Sequence, residues 1–421
     1  MKTTVTIQGR DFLVNDRLTY AELPGSNESA HGLLYNARFI QGIFDDREDP
    51  GRFARYGFDA WDPEAQTDRL VAALPEWYRY GLRAFTVGIQ GGGPCFTLDN
   101  HTIHNNPFGA SGTAFDPAYA ARLDRLIRAA DETGMVVIVS FFYADQARRL
   151  RDGKAIRNAV TTASRFLRDG GYTNVIIEVA NEMNIPPFAA HPIIQEPEGM
   201  ASLIDLARTE SGGMLTGCSG GGGYGNREVA EASDVVLIHG NGQSRQQYYN
   251  LVRRCREWAP DRPILCNEDS QAIGQLEVAQ ATHTSWGYYN NMTKQEPPTH
   301  WGVTPGEDTF FAARMAELVG VEGPTINPGE EFHLQGFEPH MTYRNRRWIR
   351  VASLRPETVE RVEFYRNGAL YWTAWDEPFS VNTRSNWRQG EVVIEGHEAW
   401  RAVIHLRSGD IVERSATAEP T

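Results

Sequence analysis

The chain has 421 residues, 41 % of them hydrophobic and 23 % charged, which excludes a disordered segment or a coiled coil. Its formal net charge is −13, so nucleic acid and anionic membrane surfaces are disfavoured as partners. No run of about 18 apolar residues is present to span a bilayer, and the length fits one large domain plus a small one.

The N-terminal stretch Met1–Thr6 lacks the apolar core of a signal peptide. The expectation is a cytoplasmic chain, or a secreted one whose signal has been removed. Residues 1–25 read as a β-hairpin, with Thr4–Ile7 and Phe12–Val14 flanking a turn at Gln8-Gly9-Arg10. From residue 26 onward, short apolar runs alternate with stretches of three-four spacing.

The runs are Phe39–Phe44, Leu82–Ile89, Met135–Phe142, Val175–Ala180, Met214–Cys218, Val235–His239, Pro263–Asn267 and Ser285–Tyr289. Between and after them, helices are predicted over 63–79, 116–133, 154–168, 197–208, 226–232, 244–258, 273–283 and 306–319. Asp116-Pro117 is a start signal, with a capping carboxylate followed by a proline that lacks the N–H a first turn leaves unpaired. Pro75 interrupts the pattern of the first helix.

Nearly continuous apolar strands are those of a parallel sheet covered on both faces. Eight strand-helix units predict an α/β fold of the (β/α)8 TIM-barrel type over residues 26–320, with a doubly wound sheet as the alternative. Residues 321–331 form a Pro/Gly-rich linker. Residues 332–421 carry short alternating segments and the turn signals Asn367-Gly368 and Ser408-Gly409-Asp410, predicting a small all-β sandwich.

The four cysteines, Cys95, Cys218, Cys255 and Cys266, are widely spaced and read as free thiols. No CxxC pair points to zinc. Gly220–Gly225 fits the dinucleotide pattern only because it is almost all glycine, and no acidic residue ends the next strand to hold a ribose. A rim loop is the better reading.

In a barrel the reactive groups stand where strands end. The fourth run ends in Asn181-Glu182, and the seventh in Asn267-Glu268. These two strands lie nearly opposite, so the two glutamates can face each other across a pocket. Paired carboxylates are the minimal machinery for cleaving a glycosidic bond: one donates a proton to the leaving oxygen, the other attacks or stabilises the anomeric carbon.

This arrangement resembles the retaining glycoside hydrolases of the large (β/α)8 clan, which includes cellulase-like and mannanase-like enzymes. The resemblance covers about residues 30–320. It implies that Glu182 is the general acid/base, that Glu268 is the nucleophile and that Asn181 binds the sugar 2-hydroxyl. It also implies a site histidine in His239 and a sugar-stacking ring in Trp286. The chain departs from those enzymes at strand two, where Phe85–Gln90 contains no arginine, at strand three, where Tyr143 follows Phe142, and at strand six, where His239-Gly240-Asn241 replaces His-x-Tyr. The stretch Val362–Gly368 resembles bacterial immunoglobulin-like modules.

Gln90, Tyr143, Asn241 and Asp46 complete the candidate substrate contacts, with Asp45 beside Asp46 at the first strand end. The implied partner is a carbohydrate, and no metal or organic cofactor is required. Three rival readings stand beside hydrolysis. They are a barrel that binds sugar or transglycosylates, a metal-dependent barrel hydrolase using Asp45, Asp46, His239 and Glu268, and an interaction protein whose β module is adhesive.

Overall fold

The structure is a computed structural model that describes residues 1–53, 61–98, 102–383, 385–387 and 390–420. Eight short parallel strands follow the apolar runs: β1 Asn36–Arg38, β2 Ala84–Gly88, β3 Val136–Phe142, β4 Val175–Ala180, β5 Thr216–Gly217, β6 Val236–His239, β7 Ile264–Glu268 and β8 Gly287–Tyr288. Six form one sheet in the order β8-β1-β2-β3-β4-β5, and β6 pairs with β7 in a second. Among the described residues the pairing is not continuous around a closed barrel. A single parallel bridge, Leu265 to Ser285, links β7 to the residues before β8. At the other gap, the Asp234 N–H donates to the Thr216 carbonyl at 2.8 Å.

The short β5 has a local cause. A Cβ on Gly217 would lie 2.2 Å from the Val235 carbonyl oxygen, so glycine is what lets the chain entering β6 pass against β5. The first strand also differs from its sequence reading. Phe39–Phe44 is not a strand but two tight turns, closed by Gly42 N–H to Phe39 O at 2.9 Å and Phe44 N–H to Gln41 O at 3.1 Å. The run is apolar because Phe39, Ile40, Ile43 and Phe44 are buried in the rim, while the paired segment lies just before it.

The predicted helices form with small boundary shifts. The helix Pro117–Thr133 is capped by Asp116, whose carboxylate accepts the Ala118 N–H at 2.9 Å, and it ends at Gly134 with φ 92°. The helix Pro63–Arg79 runs straight through Pro75. Ser244 and Gln247 form a reciprocal capping box at the start of Arg245–Trp258.

The N-terminal hairpin pairs Val5–Gln8 with Asp11–Val14 and adds a third strand, Arg17–Leu18. Its buried Val5 and Phe12 pack with Leu34, Val136, Ile176 and Leu265, which lie at the starts of the parallel strands. It therefore covers the end of the fold opposite the candidate site.

The segment after residue 331 is all antiparallel. Its main sheet has the order Ala369–Ala374, Val359–Arg366, Glu398–Leu406, Ile411–Ala418. A second apolar core, including Val362, Phe364, Trp400 and Ile404, lies under it. This region is packed against the parallel-sheet unit. Arg350 is fully buried and paired with Glu307, and Met341 and Trp348 cluster with Met292. No helix among the described residues is long and apolar enough to cross a membrane.

Candidate active site

The two strand-end glutamates come together. One oxygen of each carboxylate and one ring nitrogen of His239 lie within 4.8 Å of one another. His239, at the end of β6, sits 3.0 Å through Nδ1 from Glu182 Oε1 and 3.6 Å from Glu268 Oε2. Glu182 holds a left-handed backbone, φ 58°, uncommon for a residue with a side chain. Its N–H donates to Ser219 Oγ at 3.1 Å, which fixes that turn where the chain leaves β4.

Glu268 is held by two donors. Arg38 Nε lies 2.7 Å from Oε2, and Asn241 Nδ2 donates to Oε1 at 2.7 Å. The same guanidinium reaches across the sheet, where its Nη2 donates to Asn181 Oδ1 at 2.5 Å. Its plane also stands over the Tyr289 ring, 5.5 Å from the centroid. Asn181 and Asn241 are thus part of the cluster.

Tyr143 also belongs to it. Burial pushes its hydroxyl up, and the nearby charges of Glu268 and Glu182 push it further. A Cβ on Gly92 would lie 3.0 Å from the Tyr143 ring, so the glycine loop Gly91–Gly93 closes directly over that ring. Gln90 acts one step back: its Oε1 accepts the Tyr143 N–H at 2.9 Å and its Nε2 donates to Asn106 Oδ1 at 3.0 Å. Gln90 is fully buried and serves to position Tyr143 rather than to face a ligand.

Two expected contacts are not brought to the carboxylates. Trp286 is 0 % exposed. Its indole N–H donates to Asp269 Oδ2 at 2.8 Å, and its ring packs on Tyr288 and Phe311. A sugar platform needs an open face, and this ring has none, so Trp286 is a core residue. Asp46 is also fully buried, with its carboxylate taken by Arg52 at 2.5 Å and by the Glu48 and His104 N–H groups at 3.1 and 3.0 Å. Asp45 accepts the Trp61 indole N–H at 3.1 Å. The metal quartet Asp45, Asp46, His239 and Glu268 therefore does not assemble. The Gly-rich run lies along the Glu182 side: a Cβ on Gly221 would sit 3.7 Å from Glu182 Oε1, and the Gly221 N–H donates to Asn184 Oδ1 at 2.7 Å.

Arg38, Glu178 and Tyr289 escaped the sequence reading. Arg38, which reaches Glu268 and Asn181, comes from β1. A cation inside the stretch Leu33–Ile40, whose other polar side chain is Asn36 apart from the Tyr35 hydroxyl, was its signal. Glu178 lies inside β4, fully buried, accepts the Asn267 side-chain N–H at 2.9 Å, and stands 3.9 Å from His239 Nε2.

Burial pushes both strand-end carboxyls up. At Glu182 the hydrogen bond and charge of His239 outweigh burial and hold the carboxyl below its usual range. At Glu268 burial prevails over Arg38 and His239 and leaves it above that range. Burial alone would pull the His239 ring down, but the charge of Glu268 and the bond and charge of Glu182 raise it instead. Asp269, behind the site, is pushed up to about 7 by burial.

No protein-family model and no curated protein matches this sequence. Solved structures do match. The chain is similar to a Bacteroides vulgatus ATCC 8482 protein proposed to be a glycoside hydrolase, with TM-score 0.51 and 11 % identity over 93 % of this chain and 83 % of that one. Its structural neighbours are glycoside hydrolases. They include a Parabacteroides merdae β-glucuronidase, with TM-score 0.42 and 13 % identity over 99 % of this chain and 50 % of that one. A Cellulomonas fimi endo-β-1,4-mannanase double mutant matches with TM-score 0.37 and 12 % identity over 84 % of this chain and 97 % of that one. The chain spans about half the length of the β-glucuronidase.

Proposed function

We propose that the chain is a glycoside hydrolase that cleaves O-glycosidic bonds by double displacement. The parallel strands then act as one (β/α)8 barrel, with an immunoglobulin-like sandwich after the linker. The observation that carries this reading is the closeness of the two carboxylates, within 4.8 Å oxygen to oxygen. Retaining enzymes hold the pair about 5–5.5 Å apart, and inverting enzymes about 6.5–9.5 Å apart to admit a water.

The Glu268 carboxylate attacks the anomeric carbon as the bond to the leaving oxygen breaks, and Glu182 gives that oxygen a proton. A glycosyl ester forms on Glu268. Glu182, now ionised, takes a proton from water, the water oxygen attacks the anomeric carbon, and the ester bond breaks with net retention. Arg38 and Asn241 aim and stabilise the attacking carboxylate. Glu182 must be protonated first; in the free site the raised His239, 3.0 Å away, favours its ionised form. A sugar over Glu182 strips away its water and favours the neutral acid.

A screen on aryl glycosides and polysaccharides tests the reading, with Glu182→Gln and Glu268→Gln as controls. Loss of at least about 10³-fold in each variant is expected; wild-type rates in both would overturn it. Glu182, His239 and Glu268 are also close enough to share a cation. Since Arg38 already occupies Glu268 Oε2, full activity in EDTA is expected.

A further inference from the structure

The β region forms a cleft with the loop that follows Asn241. It has a volume of about 680 Å³ and lies between the loops that follow β6 and β7 and the end of the strand Ala369–Ala374. Ligand sites commonly span about 300–1,000 Å³. Its barrel wall is Gly242–Gln246 with Ala272 and Gln275, and its β wall is Trp372–Glu377 with Asn386.

Two side chains fix this wall. Asn386 accepts the Gly242 N–H and donates to the Gln243 carbonyl at 2.9 Å. Glu377 accepts the Gly274 N–H at 3.1 Å. Gly242 directly follows Asn241, the residue that holds Glu268, so the cleft and the nucleophile share one loop.

The wall carries a large ring in the open. Trp375 is 61 % exposed, with the Arg361 guanidinium 5.8 Å from its ring centre. The neighbouring Trp372 has an enclosed indole Nε1 without a hydrogen-bond partner among the described residues. The opposite wall is polar and partly charged, with Gln243, Ser244, Arg245 and Gln246, and Asp376 and Glu377 stand beside the rings. An exposed ring face with polar groups around it suits a sugar, whose C–H face is apolar while its hydroxyls stay hydrogen-bonded.

We propose that this cleft binds sugar units of an oligosaccharide, stacked on Trp375, next to the catalytic pair. The proposal rests on the glycosidase reading for its ligand class, and it gives the β region a part in substrate binding.

The test uses the full chain carrying Glu268→Gln, titrated calorimetrically with β-1,4-linked gluco-, manno- and xylohexaose. At least one hexaose is expected to bind, with affinity falling about tenfold or more in Trp375→Ala and recovering to within about threefold in Trp375→Phe. Both substitutions are at an exposed ring, and circular dichroism checks that each variant folds. Binding of the preferred hexaose unchanged in Trp375→Ala would overturn the proposal, as would binding of none. The two readings fail separately. A wild-type chain that hydrolyses nothing but loses hexaose binding with Trp375→Ala sinks only the glycosidase reading. An active chain indifferent to Trp375→Ala sinks only the cleft.

Discussion

Arg38 links Glu268 to the opposite side of the site, since one guanidinium reaches both Glu268 and Asn181. A lysine cannot make both contacts from one fork. Arg38→Ala is expected to lower kcat about 10²–10³-fold, the scale of losing one preorganised donor, and Arg38→Lys should recover only part. The same residue sets a pH dependence. In the proposed reaction Glu268 attacks ionised, and burial raises it, so kcat/KM should fall on the acid side at a pH above the usual glutamate value. Because Arg38 opposes that rise, Arg38→Ala should move the acid limb further up, which a kcat/KM–pH profile reads directly. At this scale the sequence was informative where position carried chemistry. Glu182 and Glu268 stood out because both end strands after an asparagine. Arg38 did not, because it precedes the run that looked like the strand. Trp286 misled because an aromatic at a strand end looks the same whether it faces a cleft or the core.

The elements were legible through their punctuation. Asp116 marks a helix start in the sequence, and the structure uses it as a cap; Gly134 ends that helix and Ser244 caps another. The strands β5 and β8 were harder to bound, because runs of five apolar residues shrink to two paired ones where neighbouring backbone crowds them. The hairpin was visible from its turn, but not its use. Phe12, 1 % exposed, plugs the end of the sheet away from the site. Phe12→Ala should cost about 3–5 kcal/mol of stability through the lost burial and the cavity left behind. A lowered urea midpoint with unchanged KM is the expected result; a lost KM would show that the plug reaches the site.

Across the whole molecule, the barrel-like unit and the β region are joined by buried charge as well as apolar contact. Arg350 pairs with Glu307, whose carboxyl burial still pushes up to about 7. Removing Arg350 strands that carboxyl, so Arg350→Ala should destabilise by about 3–5 kcal/mol. At the cleft wall burial pushes Glu377 up to about 8. A carboxyl raised in the folded state contributes stability in full below its unfolded value of about 4 and loses it as pH rises through the folded one. Melting temperature should therefore decline less between about pH 5 and 8 in Glu377→Gln than in the unaltered chain. This packing was not readable beforehand, since long-range pairs such as Arg350 and Glu307 leave no local pattern. In the proposed reaction Glu182 and Glu268 together cleave glycosidic bonds through a covalent intermediate. The most direct measurement is proton NMR of the first sugar released from the best aryl glycoside. Retained anomeric configuration is the expected result, and an inverted first product would contradict it.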